Sequence, residues 1–164
     1  MKVSIIKPQT KHTEAIAAIC AAGWKQTVEG KLSEEFQLRN IEFWYNFDRV
    51  HQDIQKGDYT HAALHNSKVA GVIGGGLTRP DTSEIFVFYV DETYRYQGIG
   101  RRLLEAMTEE QINQGASEQW VSVQEGNQLG IPFYEARGFV YQERSVTLTE
   151  TGEEQISLRY ARSL

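Results

Sequence analysis

Cysteine is nearly absent from this chain, and several other features that would point to particular classes of protein are absent as well. Cys20 is the only cysteine among 164 residues, so no disulfide can form within the chain, which favours a reducing compartment. No apolar run is long enough to cross a membrane, and the first residues lack the pattern of a signal peptide. We therefore expect a cytoplasmic protein that does not interact with membranes.

An excess of positive charge is also missing. Lysine and arginine number 17 against 22 aspartates and glutamates, which gives a net charge of −5 and a pI of about 5.4. A general nucleic-acid binder carries a basic face, so this balance argues against DNA or RNA as a partner. Repeats, low-complexity tracts and Pro/Gly-rich linkers are absent, and the length suits one domain, which we place at residues 1–164.

Patterns for metal binding are weak. His61 and His65 have the spacing of half a zinc site on a helix, but the stretch lacks the glutamate of His-Glu-x-x-His and is predicted to be a strand. We therefore expect no metal ion. Cys20 has no histidine or acid beside it in sequence, and we interpret it as a small apolar group of the core.

What the chain does contain is a predicted strand, turn and helix at its centre. Residues 84–90 are apolar after Glu84, as in a strand covered on both faces, and residues 99–114 have the apolar spacing of an amphipathic helix. Gly98 and Gly100 let a ligand approach the main chain, and the first helical amides carry partial positive charge. Full charges are added by Arg95, Arg101 and Arg102. We interpret the turn as a diphosphate-binding site.

Two common phosphate motifs differ from this turn. A dinucleotide fingerprint needs a third glycine where the chain has Leu103, and a P-loop needs Gly-Lys-Ser/Thr, which is absent. From the residues alone, a tight turn without a ligand is the remaining alternative. The spacing Arg95-x-x-Gly98-x-Gly100 resembles the Arg/Gln-x-x-Gly-x-Gly/Ala motif of the GNAT superfamily of N-acetyltransferases, whose loop wraps the pyrophosphate of acetyl-CoA.

A second signature of the same superfamily lies downstream. Residues 127–139 are similar to Asn-x-x-Ala-x-x-Phe-Tyr-x-x-x-Gly-Phe, with Asn127 and Tyr134 at the matching offsets. Gly130 replaces the usual alanine, and Pro132 is a departure that is expected to bend the start of the helix. One helix and one strand separate the two motifs, as in the family, which makes the resemblance far more specific than either motif alone.

The resemblance covers residues 85–139 and implies the acyl-CoA N-acyltransferase fold, an α/β fold. This is a three-layer α/β/α sandwich with a mixed, mostly antiparallel sheet. The order of elements that we predict from the chain, β-α-α-β-β-β-α-β-α-β-β, agrees with it. We expect a break in the second helical region near Asn46. The glycines at 74–76 are expected on a strand, where missing side chains make room for a neighbour or ligand.

The resemblance also implies acetyl-CoA as co-substrate and gives roles to particular residues. Main-chain groups of the strand residues Phe88, Tyr89 and Val90 would hold the pantetheine arm. The pyrophosphate would be held by Arg95, Tyr96, Gln97, Gly98, Ile99, Gly100 and Arg101. Asn127 would contact the cofactor, and Tyr134 would lie beside its sulfur. A tyrosine that only packs in the core is the alternative for Tyr134.

Acetyl transfer to an amine needs a neutral amine, a hydrogen-bond donor for the oxyanion and a proton for the departing thiolate. The Val90 N–H is our candidate donor and Tyr134 our candidate acid. For the base we predict Glu84, which by simple strand alternation shares a face with Val90; histone-type members of the superfamily carry a base glutamate on the corresponding strand. A solvated Glu84, with base action through water or from His61 or Tyr59, remains the alternative.

The acceptor is the part that the sequence determines least. In the superfamily the first two helices, their loop and the last strands form its walls, so we choose Trp24, Glu29 and Trp44 as candidate substrate-binding residues. Acidic and aromatic side chains together suit a cationic amine, whereas a solvated helix face is the alternative for the glutamate. The predicted function is acetyl-CoA-dependent acetylation of a primary amine of a small molecule or peptide in a ternary complex. The alternative is a non-catalytic acyl-CoA-binding sensor or interaction module, and a homodimer stays open.

Overall fold

Seven strands form one mixed sheet in the computed structural model, which describes residues 2–164. The strands are β1 (Val3–Ile6), β2 (His61–His65), β3 (Lys68–Arg79), β4 (Thr82–Val90), β5 (Glu118–Gln124), β6 (Val140–Leu148) and β7 (Glu154–Ser163). Their order across the sheet is β1-β2-β3-β4-β5-β7-β6. Each neighbouring pair of described strands is antiparallel except β4 and β5, which are parallel.

Helices cover both faces of the sheet. They are α1 (Thr13–Val28), α2 (Glu34–Trp44), α3 (Phe47–Lys56), α4 (Ile99–Asn113) and α5 (Gly130–Glu135). Residues of α1 and α3 pack together with β3 and β4 on one side, here called the α1 face. Residues of α4 and α5 pack on the other side, the α4 face. The predicted α/β/α sandwich with a mixed sheet is confirmed.

The helix boundaries follow from their capping residues and their buried sides. The Ser33 hydroxyl accepts a hydrogen bond from the Phe36 N–H at 3.2 Å, and the Asn46 side chain accepts one from the Arg49 N–H at 2.8 Å. These caps satisfy amides that have no partner within the helix, so the expected break near Asn46 is confirmed. Helix α1 ends at Val28, which is buried and packs with the helix into the core.

A β-bulge interrupts β4. In its pairing with β3, Val87 lies opposite Gly74 and Ile85 lies opposite Gly75, so Phe86 has no partner. An extra residue in one strand of an antiparallel pair bends that strand and shifts the alternation of its side chains. The Phe86 side chain is 63% exposed. The two halves of β4 therefore alternate out of phase with each other.

This bulge overturns the predicted position of Glu84. Ile85 before the bulge and Phe88 and Val90 after it all pack into the core of the α4 face. Tyr89 packs on the α1 face. Since Glu84 precedes Ile85 in a regularly paired stretch, it lies on the α1 face, and the prediction that it shares a face with Val90 is wrong.

Strands β4 and β5 pair only at their first halves. Their parallel register ends at Ile85 and Val121, and beyond this point the strands separate. The Asp91 N–H donates to the Ala70 carbonyl at 2.8 Å, which directs the main-chain groups of Asp91 towards β3. Alternate residues of an antiparallel ladder face opposite edges, so the N–H and C=O groups of Phe88 and Val90 point into the gap. The gap is therefore edged by unpaired peptide groups.

Two smaller expectations concern the core. Cys20 is fully buried on the α1 face, where burial raises the pKa of its thiol to about 12, so it is an unreactive core residue as expected. A Cβ on Gly74 would clash with the Asp58 carbonyl, and one on Gly75 with the Glu84 carbonyl, so these glycines do make room for neighbours.

Within residues 2–164, none of the helices has the length and apolarity that a membrane span requires.

Candidate active site

A cavity of about 660 Å³, here called the larger cavity, lies where β4 ends and α4 begins. Gly98 caps the start of α4 with φ +81°, a backbone conformation that only glycine adopts without strain. Gly100 follows in the first turn of α4, so the unpaired amides of this turn face the cavity. The predicted cofactor residues that line it are Phe88, Tyr89, Val90, Arg95, Tyr96, Gly98, Ile99, Gly100, Arg101 and Asn127.

Two predicted basic or polar residues lie outside this cavity. Gln97 does not line it. The Arg102 guanidinium donates a hydrogen bond to the Val3 carbonyl at 3.0 Å, which directs it towards β1. The prediction that Arg102 adds charge to the phosphate turn is therefore wrong, because its position on α4 turns it to the sheet edge.

Two cations that the sequence analysis did not select also line the larger cavity. Lys31 lies beside Gly126, where its ammonium nitrogen is 3.2 Å from the position that a Cβ would occupy. Arg137 stacks on Phe133, with its guanidinium carbon 3.8 Å from the ring centre. Arg137 occupies an unspecified position of the second motif, and Lys31 is in a loop without a recognisable pattern, so the sequence carried no signal for either. No acidic side chain lines this cavity, which suits a ligand that carries phosphates.

Hydrogen bonds hold the phosphate turn against α1. The Arg95 guanidinium donates to the Gln26 side-chain oxygen at 2.6 Å, and the Gln26 amide donates to Glu92 at 2.5 Å. Glu92 lies in the short 3₁₀ turn that follows β4. The three side chains therefore tie the segment between β4 and Gly98 to α1.

The smaller cavity, of about 230 Å³, fills the gap between β4 and β5. Its walls come from α1, from the separated halves of β4 and β5, and from the start of β7. It shares the lining residues Thr27, Phe88, Tyr89, Asn127 and Tyr134 with the larger cavity. The two cavities therefore adjoin, with Tyr134 between them.

Tyr134 is held rigidly at this junction. Its ring makes edge contacts with Phe139, Phe133 and Phe88, at centroid distances of 5.3, 5.4 and 6.3 Å. The side chain is 8% exposed, and burial raises the pKa of its phenol above the ordinary value, so the hydroxyl keeps its proton. None of the hydrogen bonds among residues 2–164 involves this hydroxyl, which leaves it free for a ligand.

Asn127 shapes the loop between β5 and α5. Its side-chain oxygen accepts hydrogen bonds from the Gly130 N–H at 2.9 Å and the Leu129 N–H at 3.2 Å. A Cβ on Gly130 would lie 2.7 Å from the Asn127 amide nitrogen, so an alanine here would require the Asn127 side chain to shift. Pro132 is in the first turn of α5, where its missing N–H leaves no helical hydrogen bond unmade.

Glu84 forms an ion pair on the α1 face. The Arg159 guanidinium donates to both Glu84 carboxylate oxygens, at 2.8 and 3.1 Å, and to the Ser122 hydroxyl at 2.8 Å. Hydrogen bonding to Glu84 raises the pKa of Arg159, which also lies over the Trp120 ring. Glu84 lines neither cavity, and taking a proton would cost it a bond to Arg159. Its role as base stays a prediction.

The structure does not bring together the three predicted acceptor-binding residues. Trp24 is buried and lines the smaller cavity. Glu29 is exposed at the end of α1, and Trp44 is 43% exposed at the end of α2, where Arg49 stacks on it at 4.3 Å. Neither Glu29 nor Trp44 lines either cavity, so an acceptor site of acidic and aromatic residues is not assembled here.

The alternative bases also lie outside both cavities. Tyr59 is buried in the core of the α1 face, where burial raises the pKa of its phenol. His61 is 3.6 Å from the Glu110 carboxylate of α4, and burial lowers the pKa of its imidazole. Among residues 2–164, no three side chains of His, Cys, Asp and Glu are grouped to hold a metal ion.

Comparison with known proteins shows the family of this chain. The family model described as "Acetyltransferase (GNAT) family" matches residues 18–139, which include the phosphate turn and the second motif. The chain belongs to the GNAT acetyltransferase family.

Curated relatives of this GNAT chain match shorter segments. A [Ribosomal protein bS18]-alanine N-acetyltransferase of Escherichia coli (strain K12) is 37% identical over 59 residues, which cover 36% of this chain and 40% of the relative. A mycothiol acetyltransferase of Jonesia denitrificans is 31% identical over 101 residues, which cover 58% of this chain and 32% of the relative. The chain thus spans less than half the length of each of these relatives.

Solved structures show that the GNAT fold extends over the whole chain. The PaiA N-acetyltransferase of Thermoplasma acidophilum, solved in complex with coenzyme A, has a TM-score of 0.80 at 23% identity and covers 100% of both chains. A ribosomal-protein-alanine N-acetyltransferase of Brucella melitensis has a TM-score of 0.74 at 21% identity, and covers 98% of this chain and 99% of that one. The fold is therefore shared at low sequence identity.

Proposed function

We propose that this GNAT protein transfers the acetyl group of acetyl-CoA to a primary amine while both substrates are bound. The observation that carries the proposal is the junction of two adjoining cavities at Tyr134, one lined by cations and the other without them. A diphosphate-bearing cofactor suits the first cavity, and an acceptor reaches the same point from the second.

The residues of the larger cavity fit acetyl-CoA. The unpaired amides at the start of α4, together with Arg95 and Arg101, would hold its pyrophosphate. The peptide groups of Phe88 and Val90 that point into the gap would pair with the pantetheine arm, as an added strand pairs with a sheet edge. This arrangement directs the thioester towards Tyr134, where the two cavities adjoin.

The reaction itself is a simple exchange of bonds. A nitrogen–carbon bond forms to the acetyl group, the carbon–sulfur bond breaks, the amine loses a proton and the sulfur gains one. The Val90 N–H would donate a hydrogen bond to the carbonyl oxygen as negative charge develops on it. Tyr134, which burial keeps protonated, would supply the proton to sulfur.

Removal of the amine proton has two contributions. An ammonium that enters a site without charges is desolvated, which lowers the pKa of the amine and favours the neutral form that attacks. Glu84 remains our candidate for the base, with water carrying the proton, because it is the carboxylate of β4 on the α1 face. Its ion pair with Arg159 would keep it in one orientation.

Release of free CoA thiol tests the proposal. The protein is mixed with acetyl-CoA and a panel of primary amines, and thiol is measured against a blank without amine. Amine-dependent release, with acetylated product detected by mass spectrometry, is the expected result. Tight calorimetric binding of acetyl-CoA without release from any amine would contradict catalysis, and would favour a non-catalytic acyl-CoA-binding module.

A further inference from the structure

The smaller cavity differs from the larger one in that its lining carries no charge. None of its lining residues is an aspartate, glutamate, lysine, arginine or histidine. Amides and hydroxyls of several residues supply its polar surface: Thr27, Ser122, Gln124, Asn127, Gln155 and Ser157. A ligand that enters this cavity therefore meets hydrogen-bonding groups but no ion-pair partner.

Several of these polar groups are free to bind a ligand. Gln124 on β5 and Ser157 on β7 lie directly opposite each other. Gln155 precedes Ser157 by two residues on β7, so its side chain lies on the same face. No side-chain hydrogen bond among residues 2–164 uses Gln124, Gln155 or Ser157. The three side chains therefore form a short row of unused donors and acceptors along one wall of the cavity.

The nearest charged pair on this face is already neutralised. Arg159 lies on β7 opposite Ser122, one step beyond Ser157 in the alternation of the strand. Both of its terminal guanidinium nitrogens donate to Glu84. Because each of these residues already faces an opposite charge, neither offers an uncompensated charge to a ligand.

The cavity is also limited in size. Its volume of about 230 Å³ is below the roughly 300–1,000 Å³ of pockets for drug-sized ligands. The loop after α1 is tied across to the turn before β7, because the Ser33 N–H and hydroxyl donate to the Glu153 carboxylate at 2.5 and 2.6 Å. This contact bridges the α1 wall and the β7 wall, which favours a compact acceptor.

We infer that the acceptor is a small primary amine whose other polar groups are uncharged hydroxyls or amides, the class of amino alcohols and amino sugars. The inference rests on the proposed function and narrows its substrate class. A polyamine would leave a second ammonium, and an amino acid a carboxylate, buried without an ion-pair partner, which is costly. An uncharged hydroxyl instead gains hydrogen bonds from the row of Gln124, Gln155 and Ser157.

Acetylation of matched amines tests this inference. Ethanolamine and glucosamine represent the expected class, putrescine and spermidine carry further cations, and glycine carries a carboxylate. Propylamine and cyclohexylamine are analogues of similar shape without hydroxyls. We expect kcat/KM for ethanolamine and glucosamine, which carry no charge beyond the reacting amine, to exceed that of every other group by about tenfold or more. The reason is that a site built for hydroxyls rejects analogues that lack them. A polyamine or amino acid that is the best substrate would contradict the inference.

A charge placed in the cavity provides a second test. Gln155→Glu keeps the shape of the side chain and adds one negative charge, so kcat/KM for putrescine relative to ethanolamine should rise by about tenfold. The matched control is Gln55→Glu, the same change at an exposed position on α3, which should leave that ratio unchanged. Equal ratios in the two variants, with normal acetyl-CoA affinity in both, would overturn the assignment of the cavity.

Binding without turnover separates this inference from the proposed function. Glucosamine and putrescine are titrated calorimetrically into the full chain saturated with CoA. Tighter binding of glucosamine, without thiol release from any amine, would contradict the proposed function and support the neutral cavity. Tighter binding of putrescine, or binding of neither amine, would contradict the neutral acceptor class whatever the turnover.

Discussion

Replacement of Tyr134 by phenylalanine removes one hydroxyl and leaves the ring in place. The edge contacts with Phe88, Phe133 and Phe139 depend on the ring alone, and the hydroxyl has no hydrogen-bond partner among residues 2–164. The free energy of unfolding should therefore change by no more than about 0.5 kcal/mol. The affinity for acetyl-CoA should also stay close to that of the original protein.

The expected loss falls on the chemical step. A positioned general acid contributes roughly 10²–10⁴-fold, which at about 1.4 kcal/mol per factor of ten raises the barrier by about 3–5 kcal/mol. Because burial raises the pKa of Tyr134, it stays protonated from neutral to mildly alkaline pH, so raising the pH should not rescue the variant. Thiol release at saturating amine measures kcat, and calorimetry measures acetyl-CoA affinity.

A matched control distinguishes the acid from a core residue. Tyr160→Phe removes the hydroxyl of another tyrosine in the same core cluster, but Tyr160 lines neither cavity, so kcat should stay within about twofold. Full kcat in the Tyr134→Phe protein would return Tyr134 to a packing role. An equal loss of kcat in both variants would assign the effect to the core and not to proton transfer.

Four further predictions follow from the charges and the glycines. Gly100→Val should fold, because the nearest atom to an added Cβ would be a Phe133 ring carbon at 3.4 Å. Its affinity for acetyl-CoA, measured by calorimetry, should fall severely, because the added methyl groups fill the approach to the helix amides. Glu84→Gln should lower the rate mainly below the pKa of the amine, with partial rescue as the pH rises. Hydrogen bonds from Ser33 lower the pKa of Glu153, so the stability that they give is present above about pH 4.5 and is lost as the pH falls through the lowered pKa. The difference in Tm between the original protein and Glu153→Gln should therefore shrink over that range. The net charge of −5 predicts no salt-sensitive binding of DNA or RNA at physiological ionic strength in a filter or anisotropy assay.

The three predictions for variants each have an outcome that would contradict them. Unchanged acetyl-CoA affinity in a folded Gly100→Val protein would refute the phosphate turn. An unaltered pH profile in the Glu84→Gln protein would move the base to water or to another residue. A Tm difference that is the same at pH 3 and pH 7 would show that the Glu153 carboxylate contributes nothing through its charge.

The features that could be predicted from the sequence are those set by residues close together in the chain. The phosphate turn was recognisable because Gly98 and Gly100 serve a strand end and a helix start that are both visible in the hydrophobic pattern. Asn46 caps α3 through a bond that reaches only three residues, so the break in the second helical region could be predicted. Tyr134 was recognisable because its motif places it at a fixed distance from Asn127.

The parts that could not be predicted depend on contacts between distant segments. Nothing in the local pattern of β4 shows that Phe86 lacks a partner, because a bulge is a property of two paired strands. Arg159 lies 75 residues from Glu84, and only the sheet brings them together. Trp44 has the residue type expected of an acceptor site, but the turn of α2 directs it to Arg49 and solvent.

The extra residue at Phe86 changes how positions in this strand must be counted. Deleting Phe86 would leave Ile85 two positions before Phe88, so regular alternation would keep both side chains on the α4 face. Odd and even residue numbers therefore mean opposite faces on the two sides of the bulge. A relative without the extra residue has to be aligned with a one-residue gap at this point, and positions of β4 compared across GNAT proteins should be counted separately on each side of it.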